Sequence, residues 1–543
     1  MKKYDIVIVG GGISGLFMAY KLSETKSSIL LIEKSESVGG RVHTIYEDNN
    51  KTRDLDIQYE CGAARFNQNH IHIIQCIIEM DLYEDIIHLD HPINSNLKGE
   101  EKDFEKVYKT GKDDPKLTLK DIADYIYKKA DTIKNKKDIT FKELMYKCMS
   151  KGATQFFIDA FGYNSEIEHM NAEDALSLFQ NDFIADKDKE IFFYFSKTGL
   201  SKLIEKLEKT CESNGVEIRT NTLLIDFVGD IKLRTSIGQI ETDTLILTGD
   251  QESLKTIPAL KKVKELDSVI KCPLNRIYAI YPKEKGKVWF HDIYRTTTDN
   301  DLRHIIPIDP EKGLIMISYS DDKYAEMWHK YNEEGKLQEQ IQKEIKKLYP
   351  KKNIPEPFYL EEHYWKAGLH VWKKGIDSVK TIKKIQKPFD NKEVYIAGET
   401  YSSNQGWMDG ALLSAIQVLE QLKLPNYKLN VLEPEKQDKK KDREKVFTEE
   451  EIEEVNNKFM KKYKEPKYIV IQAEKGKEYY VVNVGEPRDN SWIDNHPGGR
   501  DKIIKAFRAD PVAASKMFQD RGHSKIAKEK VKELSEGIII YKK

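Results

Sequence analysis

A chain of 543 residues is too long for a single hydrophobic core, so two or more domains are expected. Its 89 Lys and Arg offset 90 Asp and Glu, a formal net charge of −1 with His neutral, which leaves no basic field for a nucleic-acid partner. Five cysteines (Cys61, Cys76, Cys148, Cys211, Cys272) are odd in number and form no C-x-x-C pair, which argues against a disulfide framework or zinc site and for a reducing compartment. The text enters an apolar strand at once, and no apolar run approaches the ~20 residues that span a bilayer. The expectation is a cytoplasmic protein without signal peptide or membrane anchor.

Tyr4–Val9 reads as a strand buried on both faces. Gly10, Gly12 and Gly15 follow in G-x-G-x-x-G spacing at the mouth of a helix running to about Leu22, and Ile29–Ile32 is a second strand ending on Glu33. Gly10 suits a tight turn, Gly12 a close approach of pyrophosphate to backbone, and Gly15 close packing of helix on strand. The helix N-terminus offers free N–H groups to phosphates, and Glu33 stands where a carboxylate meets a ribose diol. Gly39-Gly40-Arg41, with Thr44 close behind, adds a second glycine pair and a fixed cation beside the same diphosphate.

This combination resembles the flavin-containing amine oxidase family, the relatives of monoamine and polyamine oxidases. The resemblance implies an α/β, Rossmann-like FAD-binding domain with an inserted α+β substrate domain. It also implies that Ile13, Lys34, Gly40 and Arg41 belong to the FAD site with the glycines and Glu33. Asp54–Phe66 reaches Gly62-Ala63-Ala64-Arg65, similar to the family's small-residue segment against the flavin; Arg65 is either a cofactor contact or a surface cation.

Leu117–Thr132 and Phe141–Met149 read as helices, and the stretch from 85 to 195 holds no catalytic constellation. His70, His72 and His169 form no convincing metal-ligand set. Lys197–Leu203 resembles the segment that leads the family's chain into a helix of the FAD domain; Asn214-Gly215 ends it. Val216–Ile218, Thr222–Val228, Ile231–Thr235 and Thr244–Thr248 read as strands, and the resemblance places adenine contacts at the backbone around Thr222.

The family carries a lysine that holds water against the reactive flavin nitrogen. Lys271 matches by local string, whereas Arg276 matches by its place on a strand; Pro273 is expected to end the strand after Lys271, favouring Arg276. An arginine there orients water but is no tunable base. Tyr364-Trp365 and Gly368–Trp372 resemble the segment that supplies one wall of an aromatic cage, which places His370 at that wall. Leu369 falls where monoamine oxidases carry the cysteine bonded to FAD, so FAD is expected to be non-covalent.

Val394–Ala415 repeats the logic of the first motif. A strand ends at Gly398-Glu399, and Gly406-Trp407-Met408-Asp409-Gly410-Ala411 opens a helix aimed at flavin oxygens. Trp407 would form the other aromatic wall, with the Met408 backbone at the ring.

Residues 426–445 form a charge-dense linker. Thr448 and Glu451 then make a capping box that opens a new domain. The motifs His496-Pro497-Gly498-Gly499 and Gly522-His523-Ser524 resemble cytochrome b5, which implies haem b held by His496 and His523 in a small α+β domain over 446–543. The expected organisation is an FAD domain (1–85, 196–250, 386–425), a substrate domain (86–195, 251–385), a linker and a haem domain.

By the chemistry of the resembled family, a neutral amine, such as a polyamine, loses a hydride equivalent to FAD and leaves as an imine. Electrons then pass to molecular oxygen, or through the haem to an external redox carrier. Two competing readings are a desaturase or porphyrinogen-oxidase-like enzyme, and a non-catalytic redox-sensing or structural flavohaemoprotein. Arg276 and His370, where the family keeps lysine and an aromatic, speak for the latter.

Overall fold

The parallel strands at the heart of the protein are short, apolar and β-branched, as sheets covered on both faces require. A computed structural model describes residues 2–422, apart from 48–49, 89–92, 184–190 and 192, together with the strands Tyr468–Glu474 and Glu478–Asn483. The chain divides into two compact units, 1–430 and 431–543. In the second unit the two described strands pair antiparallel. His496, His523 and the Thr448–Glu451 capping box lie outside the described residues.

In the first unit, Lys2–Val9 sits between Gly238–Leu247 and Ile29–Ile32, parallel to both, and Glu217–Arg219 extends the sheet beyond Ile29–Ile32. Val394–Ile396 joins parallel to the end of Gly238–Leu247, and Lys232–Thr235 and Leu224–Val228 complete it antiparallel. Ile6, Val7, Ile8 and all of Ile29–Ile32 are buried. The two motif helices, Ile13–Ser23 and Met408–Gln421, pack on this sheet's carboxyl end, where the Ser14 hydroxyl donates to the Ala411 carbonyl at 3.1 Å. That end is where open α/β sheets bind ligands.

A second sheet draws strands from both inserted segments, in the order Tyr359–Trp372, Val269–Ile280, Leu314–Asp321, His304–Asp309, Arg295–Thr298, Ile93–Asn96. Helices between residues 119 and 182 build an aromatic core beside it, in which Phe141, Phe157, Phe161 and Phe179 pack ring on ring. Helix starts follow local chemistry. Thr140 and Glu143 form a capping box, and Gly162, at φ +81°, ends Lys151–Phe161.

One expectation about this sheet is corrected. Pro273 does not end the strand: Val269–Ile280 runs through it, so Lys271 and Arg276 share one strand. The proline is absorbed where the register against Tyr359–Trp372 shifts, between Cys272 (opposite Leu369) and Leu274 (opposite Trp365). Pairing with Leu314–Asp321 starts only at Leu274, so Pro273 needs no N–H for either neighbour. Gly368 fits this bulge because a Cβ there would stand 2.3 Å from the Leu274 Cβ.

Candidate functional site

A cavity of about 1210 Å³ lies at the carboxyl end of the first sheet and continues along the second. It exceeds the roughly 300–1,000 Å³ typical of small-ligand pockets, as a long ligand would require. Its walls include Gly10, Gly12, Ile13, Glu33, Lys34, Gly40, Arg41, Ala63, Ala64, Arg65, Thr222, Gly398, Glu399, Trp407 and Met408. Residues separated by nearly 400 positions are thus brought to one cavity. Gly15 lies behind it.

The three fingerprint glycines do different work. Gly10 has φ +110°, and a Cβ on it would stand 2.5 Å from the Thr248 hydroxyl. A Cβ on Gly15 would come within 2.0 Å of the Gly10 carbonyl oxygen, so helix and strand pack at backbone distance. Gly12 is the opposite case: a Cβ there would meet nothing within 4 Å and would project into the free space of the cavity wall. Gly12 is also the N-cap of Ile13–Ser23 with no side-chain cap, which leaves first-turn N–H groups for a ligand. Gly39 donates to the Gly11 carbonyl at 2.8 Å, joining the second glycine loop to the first.

Glu33 accepts from the N–H of Gly11 at 2.7 Å and of Ser35 at 2.9 Å. A carboxylate has about four acceptor positions, so capacity remains for a diol. Thr222 donates its N–H to the Glu33 carbonyl at 2.8 Å, which ties this part of the wall to the acid. At the far end, Met408–Gln421 begins at an N-cap, Trp407, that again has no side-chain cap. Two helix N-termini therefore open on one cavity, an arrangement suited to a ligand with a diphosphate at one end and electron-rich oxygens at the other. The residues present fit FAD.

Glu399 is a hub rather than an open wall group. Its Oε2 accepts from Arg41 Nη1 at 2.7 Å and lies 2.9 Å from His370 Nδ1; its Oε1 accepts from the N–H of His370 and of Gly406, each at 2.9 Å. Burial alone would raise the Glu399 pKa, yet Arg41, His370 and the Gly406 N–H together hold it well below the usual carboxylate range. His370 departs from the expected cage wall. It is wholly buried on Glu399, and the cavity is lined at this point by Gly368 and Leu369 instead.

Lys271 also departs from the expected role, since it is ion-paired with Glu252 and is not among the lining residues. Arg276 does line the cavity. It is buried, donates to the Glu60 carbonyl at 2.9 Å, and lies 4.6 Å from the Tyr319 ring centre. Trp407 lines the wall and packs on His70 (4.6 Å between ring centres) and Phe183 (5.6 Å). His70, His72 and His169 are partnered by Asp182, Asp409 and Asp322.

Several wall residues carry no signal in the sequence. Tyr163, Glu166, Tyr319 and Asp321 converge on the cavity from a helix end, a short helix and a strand end. Burial and the neighbouring Asp321 push the Glu166 carboxyl up to about 8, and its Oε2 has no hydrogen-bond partner among the described residues. No periodic or spacing motif marks these positions, because each is polar only with respect to a cavity made by the others.

Comparison with known proteins agrees with this geometry. An uncharacterized protein of Acanthamoeba polyphaga mimivirus is 22% identical over 493 residues, covering 76% of this chain and 93% of that one. Amine oxidase A from Equus caballus is 28% identical over 102 residues, 19% of this chain and 18% of that enzyme. The solved structure of an Exiguobacterium protein assigned as a protoporphyrinogen oxidase superposes with a TM-score of 0.57 at 16% identity, over 77% of this chain and 98% of that one, a likeness of fold. Residues 13–421 match the family described as flavin containing amine oxidoreductase, so the chain belongs to that family.

Proposed function

We propose that the protein is an FAD-dependent oxidoreductase that oxidises a C–N bond of its substrate, an amine leaving as an imine. The observation that carries this reading is the cavity bounded by Glu33 and the Gly12 helix N-terminus at one end and by the Trp407–Met408 helix N-terminus at the other. Bound FAD supplies an acceptor for the hydride equivalent and is held without a covalent bond, because Leu369 offers no thiol.

The chain's own groups prepare the substrate. Trp407 gives a flat apolar wall, and Tyr319 and Tyr163 face the same space. An amine of pKa near ~10 sheds its proton on entering such a pocket, since burial disfavours the cation. Arg276 keeps its proton and orients water or substrate rather than acting as a base. Glu166, with its raised pKa, is a group able to hold or release a proton near neutrality.

Porphyrinogen oxidation is the second reading. The cavity volume and the fold neighbour favour it, and it uses the same FAD site. On the motifs around His496 and His523, the 446–543 segment is proposed to bind haem b and to relay electrons from the flavin site to an external carrier, with oxygen a competing acceptor. Anaerobic mixing of the purified protein with amines, porphyrinogens and polyenes tests these readings. Bleaching of the flavin by an amine selects the first, by a porphyrinogen the second. A protein purified without flavin refutes both.

A further inference from the structure

Three guanidinium groups gather around Tyr163 and Tyr319 at the substrate side of the cavity, with no carboxylate in ion-pair contact among the described residues. Arg65 and Arg276 line it. Arg65 Nη2 donates to the Tyr163 hydroxyl at 3.1 Å, and Arg295 Nη2 approaches the same hydroxyl at 3.4 Å. Arg276 lies over Tyr319, whose ring is 5.3 Å from that of Tyr163. Among the described residues none of the three makes an ion pair within 4.0 Å, and Nε of Arg276 and of Arg295 is buried without a partner. Carboxyl groups are near but are not paired with the cluster: Glu166 and Asp321 line the same cavity, Asp321 accepting from the N–H groups of Asn164 and Ser165, and burial raises the pKa of both, as it does that of Glu60. His304, its ring tilted against that of Tyr163 at 4.4 Å between centres, is kept neutral by burial and by Arg295, Arg303 and Arg65. Burial and the nearby Arg65 press the Arg295 pKa down to about 10, the mark of crowded cations.

Buried charges without partners are costly, and guanidinium forks match planar oxyanions. Such a cluster repels a simple ammonium substrate. We propose that the substrate carries a carboxylate, which docks on Arg65 and Arg276 beside Tyr163, with Arg295 adding positive charge through the Tyr163 hydroxyl it shares with Arg65, and which positions the oxidisable C–H for the flavin site. This rests on the oxidoreductase reading and narrows it to acidic substrates. Amino acids and porphyrinogens bearing carboxylate arms share that chemistry.

Calorimetric titration of the full-length protein with benzoate, and with benzamide as the neutral isostere, tests the anion site without reliance on flavin. Benzoate should bind at least tenfold more tightly than benzamide, and Arg65→Gln and Arg276→Gln should each weaken benzoate at least tenfold. Arg65→Lys should recover part of the loss, and thermal melting identifies any variant that fails to fold. Equal binding of benzoate and benzamide, or benzoate binding unchanged in both Gln variants, overturns the proposal. Flavin content is read separately from absorbance, so failure of the FAD reading and failure of the anion site give different results. In anaerobic bleaching, amino acids should outpace the amines left by their decarboxylation, or a carboxylate-bearing porphyrinogen its ester. An amine or an ester that bleaches the flavin equally fast sinks the inference.

Discussion

Arg41 and Glu399, 358 positions apart, meet at 2.7 Å and join the two motifs that line the cofactor cavity. Glu399 is 5% exposed and also anchors His370 and the Gly406 loop that leads into the second motif helix. The pair explains why both motifs are needed for one site: each supplies half of a buried charge network.

Glu399→Gln should therefore destabilise the protein by on the order of 2–4 kcal/mol, because Arg41 loses its counter-charge inside the wall. Flavin occupancy should fall as the Gly406 loop loosens. Thermal melting and the flavin-to-protein ratio measure both, and an unchanged melting temperature would refute the hub.

The glycines of the first motif separate fold from binding. Gly15→Ala forces a Cβ against the Gly10 carbonyl and should cost about 1–3 kcal/mol or more. Gly12→Val has room, sits in extended backbone at φ −71°, and should change stability by less than about 0.5 kcal/mol. It should nevertheless weaken FAD binding more than tenfold by filling the diphosphate approach. If Gly12→Val retains full flavin occupancy, the phosphates lie elsewhere.

Glu166 makes stability depend on pH. Its folded pKa of about 8 stands above the ordinary value of 4.5, so the native state binds more protons between those values than the unfolded chain does. The contribution is complete below the ordinary value and is lost as pH rises through about 8, with an upper size on the order of 5 kcal/mol. Melting temperatures from pH 5 to 9 should fall more steeply in the wild type than in Glu166→Gln. Parallel profiles would show that Glu166 is ionised throughout.

For the carboxyl-terminal segment, His496→Ala and His523→Ala should each abolish a six-coordinate low-spin haem spectrum while leaving FAD bound. Retention of that spectrum in both variants assigns the ligands to other residues.

The strand–glycine–helix–strand unit ending on Glu33 was legible because its parts are local: a buried strand, a turn that tolerates no side chain and a helix start are all encoded within some thirty residues. The same holds for Gly398 to Ala411, where a strand end and a helix N-terminus follow one another. Only the tertiary structure showed that Arg276 lines the cavity while Lys271, on the same strand, is paired with Glu252. A proline that removes one donor can end a strand or be taken up in a bulge, and the choice depends on Gly368 and Leu274 across the sheet. It also turned His370 into the core and made Tyr163, Glu166, Arg295 and Tyr319 neighbours. Their meaning lies in mutual burial, a property of distances between elements far apart in the chain, on which a local pattern carries no information.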